Sequence, residues 1–484
     1  MKRILWAILA VGFIHRLLFL GSRQLWTDEL VQAVINRSPS LGELMHRLRE
    51  QPAAGPLDFL VQRGVVILLG ESTWTLRLHA VIFGALSIWI FYRIASRLFG
   101  VRVALYSTFL FAFFPLEYHY SQEGRPYALL LFLTLVSYDL LLRLVYEDER
   151  RWARWLLLCA VQVLLFYQSF LGLLVPVSQL IGLVLVRRYG AEAGPAVDAA
   201  HEGGGEMPRT QWRHVLWCAA AALAACIAFL PWARFAWSRP LVAAPSEIAD
   251  PKIVLRLIKE LGDNSYPVAG LLLIGLITGI RALKRHGRRR TLMWLLAWLV
   301  PSIPLVLVVE YWSGYFFAVR HILHATPPLV LLAGYGLSYV GERLTILERL
   351  PYRVSAPAIL YAGLMCLLAI GVAALHWRKE PVDWRGTARF VARAAQPGDA
   401  VSMPLVAPLL EYYEPQLAPL RADDLDPGLG ALARPEVRRR IVVCYDKATD
   451  DPCRGFRAPA LADTAWSKRS FAGFTVFLRA TPAP

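Results

Sequence analysis

Apolar residues in this chain gather in long blocks. A bilayer core about 30 Å thick demands about 20 apolar residues of a crossing helix. Such stretches recur near 4–21, 75–95, 101–116, 126–145, 153–168, 170–187, 213–232, 266–283, 291–309, 321–340 and 357–376. The run from Trp152 to Val186 is too long for one span, and it predicts two joined by a turn at Gln168-Ser169-Phe170. The pattern predicts an all-α polytopic membrane protein with about eleven spans over residues 1–376. Met1-Lys2-Arg3 precedes the first span with no cleavage site, so the sequence reads it as a retained signal anchor.

Three segments between or after the spans are long enough to carry structure. Residues 22–74 contain amphipathic helices at Thr27–Ile35, Leu41–Glu50 and Pro56–Leu69, of the kind that lie in the interface. Residues 233–265 contain an amphipathic helix, Pro251–Leu261, flanked by Ala243-Ala244-Pro245 and Gly262-Asp263-Asn264-Ser265. Those flanks suit either a mobile loop over a substrate entrance or an ordered connection. The tail, 377–484, reads as a small soluble α/β domain. It has a helix at Asp383–Ala395 ended by Pro397-Gly398, and strands at Ala400–Met403, Arg440–Tyr445 and Phe471–Leu478. The loop 190–210, with Gly203-Gly204-Gly205, reads as disordered.

Composition agrees. Of 484 residues, 56% are hydrophobic and 18% charged, against about 25% charged in soluble domains. Disorder, coiled coil and a secreted disulfide scaffold are thereby excluded. The net charge of +16 raises the question of nucleic acid, but its distribution points to orientation. With the N-terminus in the cytoplasm, the inner segments hold 22 Lys/Arg against 9 Asp/Glu, and the turns at 116–124, 168–170 and 310–319 hold neither Lys nor Arg. This is the positive-inside pattern, with Arg281–Arg290 its strongest element, and no nucleic-acid partner is expected. The tail then lies outside, in a bacterial periplasm. There Cys444 and Cys453 are free to form a disulfide, whereas Cys159, Cys218, Cys226 and Cys366 lie within spans.

Few charges remain for chemistry. Asp28 and Glu29 follow the first span directly, and one reading is helix capping, with Thr27 as cap and the acids favoured by the helix dipole. A second cluster follows Phe113-Phe114-Pro115. It comprises Glu117, His119, Tyr120, Glu123, Arg125 and Tyr127, crowded between apolar stretches. A cation at membrane depth, such as Arg125, usually has a partner, and Glu123 is the nearest. His15, His79 and His119 sit on separate segments without ligand spacing, so neither a metal nor another cofactor is expected.

These residues carry a resemblance. Trp26-Thr27-Asp28-Glu29 is similar to the acidic signature of the GT-C glycosyltransferases, and in particular of the bacterial protein-mannosyltransferase and aminoarabinose-transferase families. Leu76-Arg77-Leu78 through Phe83-Gly84-Ala85-Leu86-Ser87-Ile88 to Arg97-Leu98-Phe99-Gly100 resembles their second span. Tyr120-Ser121-Gln122-Glu123-Gly124-Arg125-Pro126-Tyr127 is the most specific match. Leu230-Pro231-Trp232, Arg320-His321 and Asp383-Trp384-Arg385-Gly386 fit the same pattern.

The resemblance covers about 1–400. It implies a multi-pass inner-membrane enzyme with its site at the outer face. The enzyme would take a sugar from polyprenyl phosphate, such as undecaprenyl phosphate, to a lipid, glycan or protein acceptor with inversion. It implies Asp28 as general base, with Glu29 as the alternative. Arg125 and Arg320 would meet the leaving phosphate, Tyr127 and His321 would donate hydrogen bonds, and Glu123 would position Arg125 or a sugar hydroxyl. One departure stands out. Where the family often has a His-Pro-Pro-Leu-Tyr-like motif, this chain has Ala53-Ala54-Gly55-Pro56-Leu57-Asp58. Asp58 is then either a further site residue or the cap of the Pro56 helix. Two other readings of the chain are a lipid-linked sugar flippase and a non-catalytic scaffold whose tail binds envelope glycans.

Overall fold

The computed structural model describes residues 1–49, 55–148, 151–189, 207–236, 253–313, 318–343, 382–422, 439–446 and 465–480, with scattered single positions elsewhere. Most of the loop 190–210 and of the expected span 357–376, including Cys366, lies outside the described residues, as does Ala243-Ala244-Pro245.

In an apolar surrounding every backbone N–H and C=O must be bonded within its own segment, which makes each apolar stretch a helix. The helices are α1 (Lys2–Leu17), α2 (Thr27–Asn36), α3 (Leu41–Arg49), α4 (Pro56–Leu69), α5 (Thr73–Phe99), α6 (Val101–Ala112), α7 (Pro115–Ser121), α8 (Tyr127–Tyr146), α9 (Trp152–Gln168) and α10 (Leu174–Tyr189). They continue with α11 (Trp212–Ala236), α12 (Ile253–Leu261), α13 (Tyr266–Arg285), α14 (Arg289–Leu299), α15 (Ser302–Ser313), α16 (Pro327–Arg343), α17 (Trp384–Ala394) and α18 (Ala407–Tyr413). Among the described residues, six helical stretches are long and apolar enough to cross a membrane: Thr73–Phe99, Tyr127–Tyr146, Phe170–Arg188, Trp212–Ala236, Tyr266–Arg285 and Arg289–Val308. α6 and α9 are apolar but shorter. The chain is a multi-pass, mainly helical membrane protein, and the count of eleven is not reproduced at full length.

Two expected elements differ. The segment after α6 is not a plain turn but the helix α7, started by Pro115 at its first position. Arg320 and His321 do not open a span. They sit in a 3₁₀ helix, Val319–Ala325, and α16 starts at Pro327. Thr326 between them keeps a helical conformation (φ -77°, ψ -28°), and Pro327 takes the first position of α16, where its missing N–H costs nothing.

The chain forms two compact units. The first comprises Met1–Leu20 and Pro39–His376, the second Gly21–Ser38 and Trp377–Pro484. The second unit thus includes α2, which the sequence grouped with the first outer loop.

Within the first unit, small residues and a few buried polar groups fix the packing. α13 and α16 approach so closely that a Cβ on Gly279 would lie 2.0 Å from the Leu332 carbonyl oxygen, and one on Gly336 2.5 Å from the Gly279 nitrogen. This is the small-residue contact of helices packed in lipid. Asp139, the one acid of α8, is bound by Arg93 at 2.7 Å and Arg97 at 2.6 Å from α5. A buried carboxylate without such partners would be costly. Tyr138 stacks on Trp298 with ring centroids 3.6 Å apart.

The second unit has a four-stranded sheet in the order β1 (Ala400–Ser402), β2 (Arg439–Tyr445), β4 (Phe474–Ala480), β3 (Trp466–Phe471). β1 and β2 are parallel, and the other pairs are antiparallel. β3 was not expected, because its residues are largely exposed and polar and give no apolar alternation. Cys444 and Cys453 form a disulfide beside Phe456, Phe477 and Trp466. Asp383 caps α17, its Oδ1 accepting from the Gly386 N–H at 2.8 Å.

Two outcomes follow from this packing. Gly279→Leu forces α13 and α16 apart, and should abolish the monodisperse peak of the detergent-purified chain; an unshifted peak would exclude close contact there. Cys444→Ser removes a bridge between residues nine apart, worth about 2.5 kcal/mol by loop entropy. It should speed limited proteolysis of the tail, and an unchanged rate would show that the bridge adds nothing.

Candidate active site

The site residues fall in both units. In the first, α7 carries three of them, because Pro115 starts a short helix that bears Glu117, His119 and Tyr120. Glu117 and His119 face opposite electrostatic surroundings. The Glu117 carboxyl is buried, and Thr326 Oγ1 donates to its Oε1. Burial pushes its pKa up to about 8, although the Thr326 hydrogen bond and the charge of Arg16 pull the other way. Glu117 is therefore a protonated acid at neutral pH.

His119 is held between two acids. Its Nε2 lies 2.9 Å from Glu123 Oε1 and its Nδ1 lies 3.0 Å from Asp263 Oδ1. Burial disfavours the ring's charge. Asp263 and then Glu123 outweigh that cost and hold its pKa at about 10, so the ring is an imidazolium donating from both nitrogens. Glu123 Oε1 thus pairs with His119, where the sequence pointed to Arg125. Arg125 follows directly, its N–H bonded to the Glu123 carbonyl at 2.8 Å.

The tyrosines complete the cluster. Tyr120 stacks on His119 at 4.9 Å between centroids and meets Tyr127 edge-on at 5.1 Å. Burial and the Glu123 charge push the Tyr120 hydroxyl well above its usual range, with Arg320 acting against them. Arg320 thus belongs to the same electrostatic neighbourhood as Tyr120, Glu123 and Tyr127. The adjacent His321 is buried. Asp58 is fully buried. Its Oδ1 lies 3.4 Å from His79 Nε2 and accepts from Gln168 Nε2 at 3.3 Å.

Asp263 and Thr326 were missed by sequence reasoning. Asp263 sits in the flank read as flexible, which is a tight turn with φ of 51° at Asp263 and 64° at Asn264. The Gly-Asp-Asn run is its signature, because Asp and Asn tolerate that conformation. Thr326 gave no signal beyond preceding a proline.

In the second unit, α2 begins at Thr27 itself, so Thr27 is not the cap. Glu29 reaches back, its Oε2 accepting the Trp26 N–H at 3.3 Å, and it is 2% exposed. Asp28 is half-exposed. The tail holds the approach to this helix. Gln24 donates to the Val382 carbonyl at 3.0 Å and accepts from the Arg385 N–H at 3.0 Å. Tyr413 accepts from the Leu25 N–H at 3.2 Å. Among the described residues no group of three or more His, Cys, Asp or Glu gathers as a metal set.

Comparison with known proteins bears on these residues. The model of the dolichyl-phosphate-mannose-protein mannosyltransferase family matches residues 51–199. No curated protein matches the chain by sequence. ArnT of Cupriavidus metallidurans in the apo state superposes with a TM-score of 0.61 at 15% identity, covering 99% of this chain and 98% of its own. The same protein bound to undecaprenyl phosphate gives 0.61 at 16%, covering 99% of each chain. The oligosaccharyltransferase AglB of Archaeoglobus fulgidus, in complex with an inhibitory peptide and a dolichol-phosphate, gives 0.52 at 11%, covering 91% of this chain and 69% of its own. The chain therefore shares the fold of ArnT and AglB, and its residues 51–199 are similar to the protein mannosyltransferases.

Proposed function

We propose that this protein is an inverting glycosyltransferase. It moves a sugar from a polyprenyl phosphate, such as undecaprenyl phosphate, to a lipid, glycan or protein acceptor. The proposed setting is the outer face of a bacterial inner membrane, with the N-terminus cytoplasmic. The observation that carries the reading is the full-length match to a structure holding undecaprenyl phosphate, joined to the acid and cation cluster of α7 and its neighbours. No observation among the described residues favours a flippase.

The chemistry assigns each residue a role. The acceptor hydroxyl oxygen attacks C1 of the sugar from the face opposite the phosphate. Its proton passes to Asp28, the bond from C1 to the phosphate oxygen breaks, and polyprenyl phosphate leaves as an anion. Glu29 is less suited to the proton, because its carboxylate bonds the helix start. Glu117, protonated at neutral pH, is no base either. Arg125 and Arg320 meet the leaving phosphate, with Tyr127 and His321 as hydrogen-bond donors. As proposed, the reaction runs on side chains alone.

Two tests follow. A deletion strain complemented with Asp28→Asn should accumulate the lipid-linked sugar, and transfer should fall at least about 100-fold, the lower range for loss of a general base. Mass spectrometry of polyprenyl-phosphate sugars and surface glycans reads both, and full transfer by Asp28→Asn would sink the proposal. The second test concerns pH. The folded chain retains the Glu117 proton between 4.5 and about 8, and the His119 proton between 6.5 and about 10. The unfolded chain has lost both across those windows, so stability falls as pH rises through them. The thermal midpoint of the purified chain should drop on the alkaline side, and His119→Gln should flatten that drop above about pH 8. An equally steep drop in His119→Gln would show that the clamp does not hold the charge.

A further inference from the structure

Arg125 lies in a break between two helices, and the backbone there is held by groups that the catalytic reading leaves without a role. Gln62 Nε2 donates to the Gly124 carbonyl at 3.2 Å and to the Leu76 carbonyl at 2.8 Å. Gln168 Nε2 donates to the Pro126 carbonyl at 2.8 Å and to Asp58 Oδ1 at 3.3 Å. Each amide faces two acceptors, so only its NH₂ end fits, and its orientation is fixed. Asp58, Gln62, His79 and Gln168 are each at most 1% exposed. Gly124 is also confined, since a Cβ there would lie 2.7 Å from the Leu76 carbonyl oxygen.

The two carbonyls so gripped are those of the residues immediately before and after Arg125. We propose that Asp58, Gln62 and Gln168 are positioning residues, a buried clamp that fixes the Gly124–Pro126 backbone and so aims the Arg125 guanidinium at the polyprenyl phosphate. Asp58 acts through Gln168, not on the substrate. Near the position where the resemblance would place a Tyr, this chain has Asp58, which supports the arginine through Gln168. The inference rests on the reading of Arg125 as a phosphate-binding cation.

A double-mutant cycle tests it, using the full-length chain in lipid nanodiscs and labelled undecaprenyl phosphate as the probe. Arg125→Ala should weaken binding by about 10- to 100-fold, the worth of hydrogen bonds to a charged group. Gln168→Met should weaken it about 10-fold, and Asp58→Asn should act in the same direction. In the Arg125→Ala background, Gln168→Met should cost nothing more. Asp139→Asn, which breaks the distant pair with Arg93 and Arg97, should lower the melting temperature and leave affinity unchanged. Additive losses, an unaltered Gln168→Met affinity, or an equal loss in Asp139→Asn would each overturn the clamp while leaving Arg125 in place. Arg125→Ala without effect would overturn the reading of Arg125 and the clamp with it. If Gln168→Met does not fold, Gln62→Met takes its place on the other carbonyl, with the same outcomes.

Discussion

A helix that ends among apolar groups leaves carbonyl oxygens with no internal partner, and each buried orphan costs about 1–3 kcal/mol. The first unit meets this constraint with side chains. Arg16 donates to the Ala112 carbonyl at the end of α6. Gln122 donates to the Arg16 and Leu18 carbonyls at the end of α1. Arg77 donates to the Leu20 carbonyl and Trp298 to that of His324. Gln62 and Gln168 do the same on either side of Arg125. These donors permit the chain to break its helices where the proposed chemistry needs a non-helical backbone.

The same scarcity of water governs the charges. Isolated ions would be costly there, and the acids of α8 and of the α7 cluster are either matched or neutral. Asp139 has two arginines, and Glu123 and Asp263 share one imidazolium. Glu117 keeps its proton. The His119 arrangement also joins α7 to the turn after α12, two segments 144 residues apart. A connection of this kind resists alkali only as far as the histidine holds its proton. That ties the arrangement of the proposed donor site to an ion pair that neither segment forms alone.

The second unit shows a different economy. Its sheet, its disulfide and the capped helix α17 build a scaffold on which the Gln24–Thr27 segment is hydrogen-bonded. Thr27 Oγ1 lies 3.4 Å from the Tyr445 hydroxyl, and Arg37 stacks over Tyr412 at 3.9 Å. The Asp383-Trp384-Arg385-Gly386 motif gains a physical account here. Trp384 is fully buried against Tyr445 and Phe474, and the Arg385 N–H holds Gln24. The tail is thus bonded to the stretch that carries Asp28, which a free-standing glycan-binding module would not require.

The sequence alone determined that the chain is helical and multi-pass, because a bilayer imposes a length and an apolarity that any linear reading detects. It also marked α2, α3, α4, α12 and α17 within one or two residues, since amphipathic periodicity and capping are local. It marked the Glu117–Tyr127 segment by its unusual density of polar groups between apolar stretches. It did not reveal that Glu123 pairs with His119, that Asp263 and Thr326 join the cluster, or that Asp58 is buried and accepts from Gln168. Nor did it reveal that residues 21–38 belong with the tail, or that β3 completes the sheet. Those were decided by tertiary structure, for one reason. A hydrogen-bond partner or an edge strand is chosen by which groups burial brings together, and burial joins residues tens to hundreds of positions apart that share no local pattern.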